Sequence, residues 1–176
     1  VPTEESGGTP SEESSMAERF PLFVDLRGKK ILVAGGGRVA LRRVNTLLDF
    51  GPRITVVADR VCPELEESGR EGKLALARRP FRREDVEGSE AFVLAATGDD
   101  RVNRDICRIC REKGVPVNSA SDHRECDFYF PAIARGGGTV IGISGNGKNH
   151  RAVARMAARI REWTSQMRDE GTEDED

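Results

Sequence analysis

Lys30-Ile31-Leu32-Val33-Ala34-Gly35-Gly36-Gly37-Arg38-Val39-Ala40 is the stretch that decides the fold. Five residues rich in aliphatics run into three glycines, and a segment of helical periodicity follows from Arg38 to Phe50. Strand, tight turn and helix in that order make the first half of a dinucleotide-binding βαβ unit. Gly35 turns the chain without a Cβ. Gly37 lets the backbone approach a pyrophosphate, and Ala40, in the third glycine position, lets helix pack closely on strand. The helix N-terminus then directs N–H groups and a partial positive charge at the phosphates. Gly35, Gly36, Gly37, Arg38 and Val39 are therefore candidate cofactor-binding residues.

Arg53–Asp59 reads as a second, β-branched strand after the Gly51-Pro52 helix stop. Asp59 ends it, 19 residues beyond Ala40. An acid there accepts hydrogen bonds from ribose hydroxyls and repels a 2′-phosphate, which favours NAD over NADP. Arg60 beside it is able to receive a phosphate, and Asp59 as a simple helix cap is the competing reading. A short acidic helix over Pro63–Glu71 precedes a strand at Leu74–Ala77. Ala91–Ala96 is a fourth strand, which places Thr97 against the cofactor at its carboxyl end. A helix over Arg101–Lys113 leads to a fifth strand at Val115–Asn118. Strands and helices alternating in this way predict an α/β, Rossmann-like, doubly wound parallel sheet of about five strands.

The pattern then breaks. Ser119–Asp127 is a polar loop, Phe128–Ala134 and Thr139–Ser144 read as a hairpin, and Gly145–His150 is a second glycine-rich turn. A helix from about His150 to Met167 follows, with Val153, Met156, Ala157, Ile160, Trp163 and Met167 spaced by threes and fours. Hairpin and helix are too small to bury themselves well, so they are expected to form a dimerisation region. The predicted plan is a disordered extension over 1–15, an NAD-binding domain over 16–119, a dimerisation and substrate region over 120–167, and a disordered acidic tail over 168–176. Met16 is a candidate start, with a linker before it.

The net charge of −2 hides an asymmetry: residues 1–15 carry −4 and residues 168–176 carry −5, leaving +7 on 16–167. A basic core suits anionic ligands, against the plainer reading of solvated helix surfaces. The arginines are scattered and only 5% of residues are aromatic, which argues against nucleic acid. No apolar run approaches the ~18 residues of a membrane helix, and the polar, acidic N-terminus does not read as a signal peptide. A cytoplasmic protein is expected. Cys62, Cys107, Cys110 and Cys126 are expected as free thiols, and the C-x-x-C pair at 107 and 110 shares the helical pattern of its segment, which favours packing over a metal or redox site.

Taken together, Phe20-Pro21-Leu22-Phe23, Val33–Ala40, Ala95–Asn103, Val117-Asn118, Cys126-Asp127-Phe128-Tyr129-Phe130-Pro131-Ala132 and Ser144–Lys148 resemble the precorrin-2 dehydrogenase / sirohydrochlorin ferrochelatase family. The resemblance covers residues 20 to about 160. It implies NAD-dependent oxidation of precorrin-2 to sirohydrochlorin, a homodimer with interlocking late segments, and, in some members, insertion of Fe²⁺. The substrate would be a polycarboxylate, with Asn118, Arg124 and Lys148 as candidate binding residues, and Arg135 and Arg151 nearby. The family usually carries an aspartate three residues after the strand-five asparagine. Here Ser121 holds that position, followed by Asp122 and His123. Either Asp122 takes the role by a one-residue shift or the site works without it, so Ser121, Asp122 and His123 are all catalytic candidates. His123 is also able to approach iron as an imidazole. Lys148-Asn149-His150 replaces the family's Lys-Ser-Pro, and much of the helical domain and the fused methyltransferase domain of larger members are not expected here. A non-catalytic NAD-sensing module and a chelatase with weak dehydrogenase activity are the competing functional readings.

Overall fold

A computed structural model describes residues 20–145 and 149–167. The expected disordered ends and Lys148 lie outside the described residues. Strands Lys30–Ala34 (β1), Arg53–Ala58 (β2), Ala75–Arg78 (β3), Phe92–Ala95 (β4) and Val117–Ser119 (β5) form one parallel sheet in the order β3-β2-β1-β4-β5. Helices Arg38–Leu48 (α1), Pro63–Arg70 (α2) and Asp100–Lys113 (α3) cross over between the strands.

The period-two alternation of β1 sorts its side chains onto two faces. Ile31 and Val33 join Ala40, Val44 and Leu47 of α1 and Leu65 of α2 in one core. Leu32 and Ala34 face Ile106, Cys107, Ile109 and Cys110 of α3 in the other. Both layers bury aliphatic residues almost completely, which is the double winding expected from the sequence. Cys107 and Cys110 pack there as small hydrophobes, and burial pushes their thiols up to about 11 and about 12. None of the four cysteines is in a disulfide.

Several boundaries differ from expectation for local reasons. Between β3 and β4 only a single 3-10 turn forms, Arg83–Asp85, tied to Arg79 by a paired Arg79–Asp85 bridge. α3 begins at Asp100, one residue before the expected Arg101, and Asp99 caps it by accepting from the Arg101 N–H at 2.7 Å. The hairpin begins late: Ala132–Gly136 (β6) pairs antiparallel with Thr139–Ile143 (β7), and 128–131 stay out of it. Pro131 has no N–H to give to a ladder. The residues before it are held elsewhere, since Asn118 Nδ2 donates to the Phe128 carbonyl at 2.7 Å and Phe128 tilts against Phe92, ring centres 4.9 Å apart. Gly137 and Gly138, at φ 54° and 70°, supply the two positive φ values of a type I′ hairpin turn.

The final helix, His150–Ser165 (α4), packs on β6 around Ala134, Ile143 and Ala157. Gly136 allows this approach, because a Cβ there would sit 2.1 Å from the Thr164 carbonyl oxygen. Among the described residues, no helix is long and apolar enough to cross a membrane.

Candidate functional site

The three glycines do different work. Gly35 has φ 121°, and a Cβ on it would lie 2.1 Å from the Ala96 carbonyl oxygen, so it lets β1 and β4 end side by side. A Cβ on Gly36 would lie 2.4 Å from the Arg60 carbonyl oxygen, so it closes the turn onto the loop after β2. Gly37 has open space around its Cβ position. It precedes α1 in extended backbone, with no side-chain cap and no acid in the first turn. Side chains thus leave the first N–H groups of α1 unclaimed, next to an open glycine, which is the arrangement an anionic phosphate needs. Arg38 and Val39 are exposed beside it. Asp59 and Arg60 are exposed at the carboxyl end of β2, and Asp59 Oδ1 accepts from the Arg60 N–H at 2.9 Å. That bond goes to the next residue and caps no helix, since α2 begins at Pro63 with Cys62 at its N-cap; it holds the carboxylate at the end of the strand. The cradle therefore fits a dinucleotide.

Thr97 is committed to its own turn. Its hydroxyl contacts Asn103 Oδ1 at 2.7 Å and the Asp99 carbonyl at 3.0 Å, and its N–H donates to Asn103 Oδ1 at 3.0 Å. Asn103 is 1% exposed, and its Nδ2 donates to the Thr97 carbonyl and to the Ser121 hydroxyl, each at 3.2 Å. Ser121 also lies 3.1 Å from the Ser119 hydroxyl. The polar loop after β5 is thus anchored to α3 at its start. Asp127 anchors its end, accepting from the Val117 N–H at 2.8 Å and donating its own N–H to the Val117 carbonyl at 2.9 Å.

Asp122 is held by Arg124, whose N–H, Nε and Nη2 all donate to it at 2.8–3.1 Å. These bonds lower its pKa to about 2. A carboxylate held so low is a weak proton acceptor.

Beyond the carboxyl end of β5 lies a cleft of about 510 Å³ between α1, the 118–133 segment, the hairpin and α4. Its polar lining includes Arg42, Arg43, Asn118, Ser119, His123, Cys126 and Arg161; Phe130, Pro131, Ile133, Ile143 and Val153 supply apolar wall. No aspartate or glutamate lines it among the described residues. Of the three catalytic candidates, His123 reaches the cleft, whereas Ser121 and Asp122 are bound into the loop. Asn118 lines the cleft and is 3% exposed, with Oδ1 buried and unpartnered. Arg124 turns to Asp122, and Arg135 bridges to Asp49 at 3.4 Å, above the Phe50 ring. Arg42, Arg43, Arg161 and the buried Asn103 were not singled out from the sequence.

Comparison with known proteins agrees with this architecture. A family model described as "Putative NAD(P)-binding" matches residues 22–132. A "Probable multifunctional siroheme biosynthesis protein HemA" of Ruminiclostridium josui is 42% identical over 144 residues, covering 81% of this chain and 28% of that protein. A "Siroheme synthase" of Nitrosospira multiformis is 36% identical over 145 residues, covering 80% of this chain and 30% of that one. The chain thus spans under a third of these relatives' lengths. Among solved structures, "SirC, precorrin-2 dehydrogenase" superposes with a TM-score of 0.70 at 28% identity, covering 84% of this chain and 74% of that one. The dinucleotide cradle, the sheet order and these matches together place the chain in the NAD(P)-binding family of the precorrin-2 dehydrogenases and siroheme synthases.

Proposed function

We propose that the protein oxidises precorrin-2 to sirohydrochlorin with NAD. The observation that carries the reading is the arginine-lined cleft with an apolar wall and, among the described residues, no acid, at the carboxyl side of a sheet whose first turn fits a dinucleotide. Basic groups suit the carboxylates of such a tetrapyrrole and the apolar wall suits its macrocycle. NAD, when bound, supplies the hydride acceptor. The open N–H groups of α1 hold its pyrophosphate, Val39 covers its apolar surface, and Asp59 accepts from the ribose and disfavours a 2′-phosphate. Thr97, Asn103 and Ser121 keep the floor between cofactor and cleft rigid. Asn118 orients the macrocycle. His123 is the residue best placed to take the proton released on oxidation, and Asp122 supports the loop through Arg124.

A homodimer belongs to the same reading. Met156 and Trp163 of α4 and Met167 just after it are exposed and recur at seven and four residues, which makes one apolar stripe. Phe20, Leu22 and Phe23 are 70–87% exposed on the segment before β1. A second copy would cover both, with 120–167 as the dimerising and substrate-facing region.

Anaerobic incubation with precorrin-2 and NAD⁺ tests the proposal. NADH and the sirohydrochlorin spectrum should appear together. Cofactor binding without tetrapyrrole turnover would favour a nucleotide-sensing module instead. A parallel arm with sirohydrochlorin and Fe²⁺, without NAD⁺, reads iron insertion.

A further inference from the structure

Arg43 is a charge placed within an apolar helix stripe. It follows Ala40 by three residues and precedes Leu47 by four, and both of those are buried in the core beneath α1. Its guanidinium carbon lies 5.7 Å from the Phe130 ring centre, and its Nη1 is buried with no hydrogen-bond partner. None of the ion pairs among the described residues includes it. Burial lowers its pKa, opposed by the nearby Cys126 thiol, and the neighbouring Arg42 adds like charge. An unpartnered buried guanidinium N–H is costly to the fold, so its retention calls for an acceptor that the folded chain does not provide. Across the same cleft, Asn118 Oδ1 is a buried acceptor without a donor, its amide orientation fixed by the bond to the Phe128 carbonyl. Arg43 and Asn118, which carry this buried donor and this buried acceptor, therefore line one space, in which the described residues place no carboxylate.

We infer that the Arg43 guanidinium seats a carboxylate of the tetrapyrrole substrate, the side chains of Arg43 and Asn118 shifting so that the buried Nη1 donor and Oδ1 acceptor meet the same molecule. The inference rests on the cleft being the tetrapyrrole site, and it makes Arg43 a specificity residue for an acidic macrocycle. Guanidinium and carboxylate form a charge-assisted bond that is strengthened by the low local dielectric. Cofactor binding does not involve Arg43 on this account.

The test uses the full chain, with sirohydrochlorin as probe, and compares wild type, Arg43→Met and Arg43→Lys by absorbance titration. NAD⁺ affinity, sedimentation and thermal midpoint are measured alongside. Arg43→Met should weaken sirohydrochlorin binding by about 10–100-fold and leave NAD⁺ affinity and oligomeric state unchanged. Arg43→Lys should recover part of the loss. The thermal midpoint of Arg43→Met should hold or rise, because a buried unpaired charge is replaced by an apolar chain; a purely structural arginine would lower it. Undiminished sirohydrochlorin binding by Arg43→Met overturns the assignment while leaving the dehydrogenase reading intact. Loss of NAD⁺ affinity instead, or dissociation of the oligomer with tetrapyrrole binding retained, assigns Arg43 to another partner and also overturns it. If wild type itself does not bind sirohydrochlorin, the functional reading falls and this inference falls with it.

Discussion

Asn103 Nδ2 donates to the Ser121 hydroxyl at 3.2 Å, joining α3 to the loop where the chemistry is sought. The same amide group brackets Thr97 from both sides. Ser121, at the position where the family usually has an aspartate, is therefore a structural tie in this chain rather than an open acid. Asn103→Leu should lower unfolding free energy by about 1–3 kcal/mol, because it leaves the Thr97 N–H and carbonyl without their partner. Urea denaturation measures this. An unchanged midpoint would show that the clamp carries no weight.

Gly35 and Gly37 should respond in opposite ways to one methyl group. Gly35→Ala places a Cβ against the Ala96 carbonyl in a backbone conformation that side chains rarely adopt. Destabilisation of at least about 2 kcal/mol is expected. Gly37→Ala meets nothing within 4 Å in the folded chain, so thermal stability should hold while NAD⁺ affinity falls. Comparing melting with NAD⁺ titration for both variants checks the division of labour.

Asp59→Ala should weaken NAD⁺ binding by about 1–3 kcal/mol, the scale of a hydrogen bond to a charged group. It should also narrow the preference for NAD⁺ over NADP⁺, since the repulsion of a 2′-phosphate is lost. Parallel titrations with the two cofactors decide whether Asp59 or Arg60 dominates this edge.

His123 and Asp122 separate by role. His123→Gln should lower kcat by roughly 10²–10⁴-fold if it takes the proton. Asp122→Asn should alter acid stability more than turnover. With its folded-state pKa lowered from 3.8 to about 2, the Asp122 carboxylate stabilises the fold above 3.8, and this contribution is lost as pH falls toward 2. The thermal midpoint of Asp122→Asn should accordingly depend less on pH across that interval than that of wild type.

The sheet was legible because alternating aliphatic strands and glycine punctuation are local signals. All five parallel strands are anticipated, β1 with its bounds unchanged and the others with ends shifted by no more than two residues. The site was harder. Asn103 sits in an otherwise amphipathic helix, and its partner Ser121 is 18 residues away, so nothing local announces the clamp. Asp127 bonds back to Val117 across ten residues, which pulled 128–131 out of the expected strand. Arg43 did carry a signal: a charge spaced three and four residues from buried aliphatic positions of α1. Residue type alone does not separate it from the neighbouring Arg42, which is exposed.

Trp163→Asp tests the dimer. A charge in the stripe of Met156, Trp163 and Met167 should shift sedimentation toward the monomer without changing the far-ultraviolet spectrum, because Trp163 is 58% exposed within one chain. A monomeric wild type would contradict the assembly.

The central claim is that one chain brings a dinucleotide and an acidic tetrapyrrole together for oxidation. The direct measurement is the stoichiometry of NADH to sirohydrochlorin formed from precorrin-2 under anaerobic conditions. The account predicts equimolar products, formed only when NAD⁺ and protein are both present. Sirohydrochlorin formed at the same rate without NAD⁺, or NAD⁺ bound but never reduced in the presence of precorrin-2, would contradict it.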